Sequence, residues 1–395
     1  MRWLSQTLAV IALGIRTIPR RLSSSIVAIV GVAGVVVVLV SVLSISEGFK
    51  AAVAGTGSPL RAIILRQGAD SEMTSGITGP EADIIKQAPG LARDGQLPQA
   101  AAELYVVVDL NKRSTGTPAN VPIRGIEPMS LKVRDEVKIV EGRAPQFGTN
   151  EAIVGQSAVR QFAGVDLGTT YSSADLTLKI VGVFTSGGSA SESEIWCDAH
   201  VLQGAYKRSN SYQSVLARLD STASLETAKN WLTTNPQLKV SVRRESDYYV
   251  SQTTVMTGLI NSIGYIIAAL MGIAAVFGAI LTMYTAVATR TREIATLRAL
   301  GFNTMSVLVS VLGESMVLAA IGGIAGGMLA YFGFNGYQTA TMNFQTFSQI
   351  AFAFRVTPEL LTRGLIYALI MGLIGGLFPA IRAARLPISS ALREL

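Results

Sequence analysis

Four long apolar stretches constrain the fold of this chain more than any other feature. They lie at about 22–46, 258–287, 304–332 and 364–381, and the first two contain no charged residue. The hydrocarbon core of a bilayer is about 30 Å thick, so a spanning helix needs about 20 apolar residues. The sequence therefore predicts an α-helical membrane protein with four transmembrane helices, at 22–46, 255–287, 304–332 and 360–381.

The basic residues beside these stretches predict how the chain is oriented. The net charge is +7, but residues 47–254 contain nearly equal numbers of acidic and basic side chains, so the excess lies in short flanking segments. This distribution is typical of membrane orientation and not of nucleic-acid binding. Both termini (1–21 and 382–395) and segment 288–303 are therefore predicted to be cytoplasmic. Residues 47–254 and the 333–359 loop are predicted to be periplasmic, which places the protein in the inner membrane.

The N-terminal segment 1–21 has apolar residues at helical spacing. Trp3, Leu8 and Ile11 belong to this pattern, and Pro19 ends it. The pattern predicts an amphipathic helix at the membrane surface, with an ordinary frayed terminus as the alternative. The first span is longer than the apolar core of a signal peptide, which favours a retained helix over a cleaved one.

The segment between the first two spans combines β-rich runs with helical patterns. We therefore predict a large α+β extracytoplasmic domain (47–254) in two lobes, inserted between the first and second spans. The Gly/Ser-rich stretch 185–194 predicts a flexible surface loop, either a mobile contact for a partner or a plain connector. The β-rich runs are 62–66, 104–110, 121–126, 176–184 and 214–219, and the helical patterns are 81–88, 151–164 and 224–234.

The sequence contains no motif for catalysis by this chain alone. It has no G-x-x-x-x-G-K-[ST] phosphate loop, no G-x-S-x-G elbow and no H-E-x-x-H zinc motif. Cys197, Asp198 and His200 lie close together, but one Cys and one His are too few for a typical zinc site. We therefore predict a non-catalytic subunit that binds no metal and no cofactor of its own.

Polar and small residues within the spans predict how the helices pack. Glu314 is the one ionisable residue of the third span, and we favour interhelical or interfacial hydrogen bonding near the cytoplasmic side over proton transfer. Glycines four residues apart let helix backbones approach closely, either within the chain or between two copies. These pairs are Gly322 with Gly326, Gly323 with Gly327, and Gly372 with Gly376.

The short segment 288–303 predicts a helix with two different faces. Ile294, Leu297 and Leu300 recur every three residues and form an apolar stripe. Gly301 follows directly and suits a left-handed C-cap. The segment is either a docking helix for a cytosolic partner or only a positively charged anchor. Its charged residues are Arg290, Arg292, Glu293 and Arg298.

Several motifs resemble the ABC-transporter permeases of the MacB/FtsX type, which include macrolide and peptide exporters, lipoprotein-release permeases and a cell-division regulator. The strongest are RTREIATLRALGFN (290–303), VLGESMVLAAIGGIAGG (311–327) and the closing GGLFPAIRAARLPISSALREL (375–395). SISEGFKAAV (44–53) and VGVFTSGGSASESEIWCD (181–198) are also similar. The order of one span, a large outer domain and three further spans matches the family as well.

The resemblance implies a mechanical role. Residues 290–300 would form a coupling helix on an ATP-hydrolysing subunit, in a permease dimer whose outer domains move when the ATPases close. ATP and Mg would be bound by the ATPase. Members with a fused ATPase have it before the first span, and because only about 20 residues precede that span here, a separate cytoplasmic ABC ATPase is expected. The implied coupling residues are Arg290, Arg292, Glu293, Ile294, Leu297, Arg298, Leu300 and Gly301.

The leading functional prediction is efflux of a substrate with a periplasmic adaptor and an outer-membrane channel. The family also leaves open lipoprotein release and transmembrane signalling to a periplasmic cell-wall hydrolase. The expected partners are the ATPase, a second copy of the permease, most simply as a homodimer, and membrane lipids, with no nucleic acid.

Overall fold

The computed structural model describes residues 22–173 and 175–386, so the amphipathic helix predicted at 1–21 lies outside the described residues. The helices are α1 (Leu22–Ala54), α2 (Gly79–Ile85), α3 (Pro128–Val133), α4 (Gln156–Gln161), α5 (Ala199–Ala205), α6 (Ser224–Thr234), α7 (Glu245–Ala288), α8 (Thr291–Ala299), α9 (Thr304–Phe334) and α10 (Pro358–Arg385). Short 3₁₀ helices lie at Glu72–Thr74 and Ala190–Ser193.

The strands all lie before α7, except for one late hairpin. They are β1 (Arg61–Arg66), β2 (Ile77–Thr78), β3 (Arg93–Asp94), β4 (Leu97–Pro98), β5 (Ala100–Asn111), β6 (Pro118–Ile126), β7 (Lys138–Gly142), β8 (Glu151–Gly155), β9 (Thr170–Ser173), β10 (Leu176–Thr185), β11 (Ile195–Asp198), β12 (Ser211–Tyr212), β13 (Ser214–Arg218), β14 (Val240–Arg244), β15 (Gln338–Asn343) and β16 (Ser348–Ala353).

The described chain divides into two compact units. The helical unit comprises 22–47, 259–337 and 354–386, and the mixed unit comprises Gly48–Gly258 and Gln338–Ala353. The mixed unit is therefore built from two separate parts of the chain.

Among the described residues, four helices are long and apolar enough to cross a membrane: α1, α7, α9 and α10. All four extend beyond the predicted spans, α1 and α7 the furthest, because α1 continues to Ala54 and α7 begins at Glu245. At 1.5 Å per residue, the 44 residues of α7 extend for about 66 Å, about twice the thickness of a hydrocarbon core. The first part of the mixed unit begins and ends within these two helices, at Gly48 and Gly258.

The glycine pairs of the third span line both sides of α9. A Cβ at Gly326 would lie 2.6 Å from the Ala33 carbonyl oxygen of α1, whereas one at Gly323 would lie 2.8 Å from Cβ of Ala368 in α10. Gly322 likewise faces α1, Gly327 faces α10, and Gly372 and Gly376 of α10 face α9. The Ser315 hydroxyl of α9 also donates to the Gly372 carbonyl at 2.7 Å. The six glycines thus lie at helix contacts within one chain, where small residues let backbones approach closely.

A ten-stranded sheet forms the centre of the mixed unit. Its order runs from β14 through β1, β13, β5, β6, β11, β8 and β10 to β7, with β9 also beside β10. The β6–β11 and β8–β10 pairs are parallel, whereas the longest pair, β5–β6, is antiparallel with Leu104 opposite Gly125. One buried cluster surrounds β1 and β13 and includes Ile64 and Leu232, and another surrounds β6 and β10 and includes Ile123 and Leu178. A smaller third cluster includes Phe184 and Trp196. The unit is therefore a mixed α/β structure with apolar clusters along one sheet.

The helical pattern predicted over 151–164 is wrong in its first part. Residues Glu151–Gly155 form strand β8, and only Gln156–Gln161 are helical. β8 pairs with β10 on one side and β11 on the other, and Ile153 and Val154 are fully buried. The apolar run AIV reflects burial on both faces of a strand, and its spacing alone does not distinguish that from a helix.

The Gly/Ser-rich stretch 185–194 is also not the exposed loop that its composition predicts. Glu192 is buried, and its carboxylate accepts hydrogen bonds from the Thr185 hydroxyl and from the Ser186 and Gly188 amides, at 2.6–2.8 Å. Burial raises the pKa of Glu192, but these hydrogen bonds, with a further one from Ser157, outweigh burial and lower it. The stretch is folded around its own carboxylate.

The 333–359 segment, predicted as a loop, contains the hairpin β15–β16. Its residues contact the mixed unit through side chains from separate elements. Tyr105 Oη lies 3.1 Å from Ser348 Oγ, and the Ala351 amide donates to Ser193 Oγ at 2.8 Å. Gln161 Nε2 donates to the Thr339 carbonyl at 3.1 Å. The hairpin is therefore an integral part of the mixed unit.

Candidate functional site

The short helix α8 lies between α7 and α9 and is closed at its C-terminal end by a glycine. Gly301 has a φ of 90°, and its amide donates to the Arg298 carbonyl at 3.1 Å. The Phe302 amide donates to the Leu297 carbonyl at the same distance, which completes a Schellman motif. Asn303 then caps α9, since its side chain accepts from the Met305 amide. The turn from α8 into α9 is thus fixed by local hydrogen bonds.

The predicted apolar stripe of α8 is only partly buried. Ile294 packs with Met283 of α7, Val307 of α9 and Ala383 of α10. Leu297 is half-buried, but Leu300 is 73% exposed. Each step of three residues turns a helix by about 300°, so the third member of such a series lies about 120° away from the first. The stripe therefore rotates away from the apolar contact, and Leu300 lies open at the end of the helix.

Arg290, the residue before α8, bonds to two carboxylates within the chain. Its Nη1 lies 3.0 Å from Glu314 Oε2 of α9, and its Nε lies 3.0 Å from Glu293 Oε2. The side chains of Arg290 and Glu314 are 13% and 7% exposed, whereas that of Glu293 is 63% exposed. Breaking a buried ion pair by removing one partner costs about 3–5 kcal/mol, because the other charge is left buried. The structure therefore gives Glu314 an interhelical partner.

The charged residues of the predicted coupling set fall into two groups. Arg290 bonds to Glu314, and Arg298 donates through Nη1 to the Leu386 carbonyl just after α10. Arg292 and Glu293 are exposed. A partner that binds α8 would consequently meet Arg292, Glu293 and Leu300 first.

A groove of about 310 Å³ lies between α8 and α9. Arg290 and Glu293 lie on its lining together with Thr296 and Ser310. The apolar lining residues are Ile294, Leu297, Val307 and Val311. The groove gives the exposed side of α8 a concave surface beside its charged residues.

A buried cluster of charges in the mixed unit has no counterpart in the sequence predictions. Arg124 of β6 lies 2.7–2.9 Å from carboxylate oxygens of Glu72, Glu103 and Glu194, and Glu103 also bonds to Arg134. All five side chains are nearly inaccessible. Burial raises the pKa of Glu103, but the two arginines outweigh burial and lower it to about 2.

Asp198 and Cys197, two of the three residues that lie close together in the sequence, have structural roles. Asp198 caps α5, since its carboxylate accepts from the His200 amide at 2.7 Å. Cys197 is fully buried in the sheet, and burial raises the pKa of its thiol. Within the described ranges 22–173 and 175–386, no group of His, Cys, Asp and Glu side chains could hold a metal ion.

Comparison with known families accounts for most of the chain. The MacB-like periplasmic core domain matches residues 25–235, more than half of the sequence, and the FtsX-like permease C-terminal domain matches 265–388. The chain belongs to the MacB/FtsX-like family of ABC transporter permeases. Its four apolar helices and its mixed α/β domain of the periplasmic type are thus those of a membrane permease.

Two curated relatives are similar to parts of this permease. The uncharacterized ABC transporter permease YvrN of Bacillus subtilis strain 168 is 36% identical over 111 residues, which is 28% of this chain and 25% of YvrN. The macrolide export ATP-binding/permease protein MacB of Nitrobacter winogradskyi is 38% identical over 152 residues, 38% of this chain and 20% of MacB. The permease therefore spans a quarter or less of the length of these relatives.

Solved structures of outer domains also resemble part of this permease. The periplasmic region of MacB from Actinobacillus actinomycetemcomitans aligns with a TM-score of 0.38 at 13% identity, over 49% of this chain and 92% of that one. The extracellular domain of YknZ, described as a noncanonic ABC-type transporter from Gram-positive bacteria, aligns with a TM-score of 0.35 at 16% identity, over 46% and 99% of the two chains.

Proposed function

We propose that this permease transmits the motion of a separate cytoplasmic ABC ATPase to its mixed unit, which lies on the periplasmic side. ATP and Mg are bound by the ATPase, and two copies of the permease form a homodimer. The work done is the efflux of a substrate, with a periplasmic adaptor and an outer-membrane channel. Lipoprotein release and signalling to a cell-wall hydrolase use the same mechanics and are the alternatives.

The exposed part of α8 is the observation behind this proposal. Arg292 and Leu300 are exposed on a helix that is itself bonded to α9 through Arg290. The groove beside α8 combines an apolar lining with Arg290 and Glu293, and an apolar centre with charged residues around it is typical of a docking surface for another protein. A helix fixed to a membrane span can also pass on a displacement, because packed helices move as bodies.

The composition of the mixed unit supports the proposed topology. The late hairpin 338–353 and residues 48–258 form one compact unit, so they have to lie on one side of the membrane. That side is the outer one if the arginine-rich segment 288–303 and both termini are cytoplasmic. The two larger apolar clusters along the sheet support an outer domain of two lobes inserted between α1 and α7.

Purification of the tagged chain from native membranes in mild detergent, with identification of the proteins that come with it, tests the proposal. We expect an ABC ATPase, and we expect Arg292→Glu combined with Leu300→Glu to remove it. Arg160→Glu, at an exposed arginine in the mixed unit, is the matched control and should retain it. An adaptor in the same sample identifies efflux, lipoproteins identify release, and a hydrolase identifies signalling. A preparation without any ATPase would overturn the coupling role.

A further inference from the structure

Arg290 and Glu314 connect two positions that are 24 residues apart in the sequence. Arg290 is at the junction between α7, which ends at Ala288, and α8, which begins at Thr291. Glu314 lies ten residues into α9, about 15 Å along that helix at 1.5 Å per residue. The bond therefore joins the start of α8 to the interior of α9, far beyond the local turn at Gly301.

The two ends of α8 are held by different means. At the C-terminal end, the Schellman motif fixes the backbone, and Arg298 bonds to the Leu386 carbonyl. At the N-terminal end, the backbone of Arg290 is not helical, with φ −113° and ψ 12°. The Arg290 amide donates to the Val287 carbonyl at 3.1 Å, and the Arg290–Glu314 ion pair adds a mostly buried side-chain bond from this junction to α9.

We propose that Glu314 is a positioning residue that fixes the orientation of α8 through Arg290, so that α8 and α9 move as one body. Its importance for transport rests on the proposed coupling role of α8. In this arrangement Arg290 connects α8 to α9 within the permease and does not contact the ATPase. The ATPase contacts Arg292 and Leu300 instead. Glu293 is exposed, so it can leave Arg290 and bind a cationic side chain of a partner while the Arg290–Glu314 ion pair stays intact.

The inference can be tested on the full-length permease in detergent, without any ATPase. Ala295 of α8 is buried, so a cysteine there reports whether α8 leaves its contact. The background carries Cys197→Ala, which removes the one native thiol, and Ala295→Cys is labelled with a soluble maleimide. Glu314→Gln is expected to raise the labelling rate by about tenfold, because α8 opens more often from its contact. Glu359→Gln, which breaks the exposed Glu359–Arg363 pair of α10, is the matched control and should change the rate less than about twofold.

Two further variants separate positioning from general destabilisation. The charge-swapped Arg290→Glu, Glu314→Arg chain should return the labelling rate to within about threefold of the starting rate, because the pair forms again in reverse. Arg290→Lys keeps one charged bond and should give an intermediate labelling rate. This variant replaces the charge swap as the test if the swapped chain does not fold. An unchanged rate in Glu314→Gln would overturn the inference. So would a rise that neither the swap nor the lysine variant reduces.

Failure of this inference and failure of the proposed function give different results. If Ala295→Cys in α8 is labelled faster in Glu314→Gln but no ATPase accompanies the wild-type chain, Glu314 positions α8 and the coupling role is wrong. If the ATPase accompanies the chain and labelling is indifferent to Glu314, α8 docks the ATPase and is positioned in another way.

Discussion

Arg61 of β1 and Glu245, the first residue of α7, form a buried ion pair although 184 residues separate them. Arg61 Nε lies 2.5 Å from Glu245 Oε2, and the guanidinium also bonds to Glu136. Both Arg61 and Glu245 are nearly inaccessible. The pair therefore fixes the start of the longest helix to the sheet of the mixed unit.

Removal of this carboxylate should destabilise the mixed unit. Glu245→Gln leaves Arg61 with Glu136 at bonding distance and with Asp135 4.0 Å away, so we expect a loss of up to about 3 kcal/mol, the low end for a broken buried pair. Thermal unfolding of the purified permease measures it as a lower melting temperature. Asp94→Asn breaks the exposed Lys132–Asp94 pair and is the matched control, with no measurable change expected. Equal melting of the two variants would show that the pair does not hold α7.

The lowered pKa of Glu103 predicts that the folded protein loses stability in acid. Its pKa is lowered to about 2 in the folded protein, against about 4.3 for an unperturbed Glu. A lowered folded pKa stabilises the fold fully above the unfolded value and loses that contribution as the pH falls towards 2. Between pH 5 and pH 2 the melting temperature of the wild type should thus fall. Glu103→Gln should melt lower at neutral pH and lose less on acidification, and parallel curves for the two proteins would contradict the assignment.

The glycine contacts of α9 predict a position-specific effect of one methyl group. A Cβ at Gly326 would lie 2.6 Å from a backbone oxygen of α1, whereas a Cβ at Gly333, in the same helix, has no neighbour within 4 Å. Gly326→Ala should therefore cost about 1–3 kcal/mol through overpacking. Gly333→Ala should be neutral or slightly stabilising. Melting in detergent compares the two, and equal effects would mean that α1 and α9 are not packed at Gly326.

The hairpin β15–β16 predicts that one of two phenylalanines is essential to the mixed unit. Phe352 is buried against Phe49, with ring centroids 5.7 Å apart, whereas Phe344 at the hairpin turn is exposed. Phe352→Ala should cost about 3–5 kcal/mol as a large-to-small change in a core, and Phe344→Ala should cost little. Hydrogen exchange of residues 338–353 in the full chain is the measurement. Fast exchange of the hairpin already in the wild type would contradict its place in the unit.

The sequence predicts the features that depend on one segment at a time. The charge-free runs correspond to long helices, the β-rich runs 104–110 and 176–184 lie within β5 and β10, and Gly301 has the positive φ of a C-cap. Each of these follows from local composition and spacing. The family resemblance also follows from contiguous motifs.

The features that the sequence did not predict depend on residues far apart in the chain. The hairpin finds its place in the mixed unit through Tyr105 and Ser193, which lie 243 and 158 residues from their partners. Likewise, the composition of 185–194 indicates flexibility, but Glu192 in its centre supplies acceptors that order it. Arg290 and Glu314 were each identified from the sequence, yet no periodicity shows that they meet. Helical spacing describes which residues share a face and not what that face contacts.

The hairpin also determines when this protein can finish folding during its synthesis. The mixed unit is interrupted at Gly258, and its last segment is made about 80 residues later, after α8 and α9. At about 5–20 residues per second, the ribosome needs roughly 4–16 s to supply it. During that interval Phe49, Tyr105 and Ser193 lack their partners from the hairpin. The mixed unit is therefore completed only once the third apolar helix, α9, has left the ribosome, which makes membrane insertion and domain folding successive steps of one process.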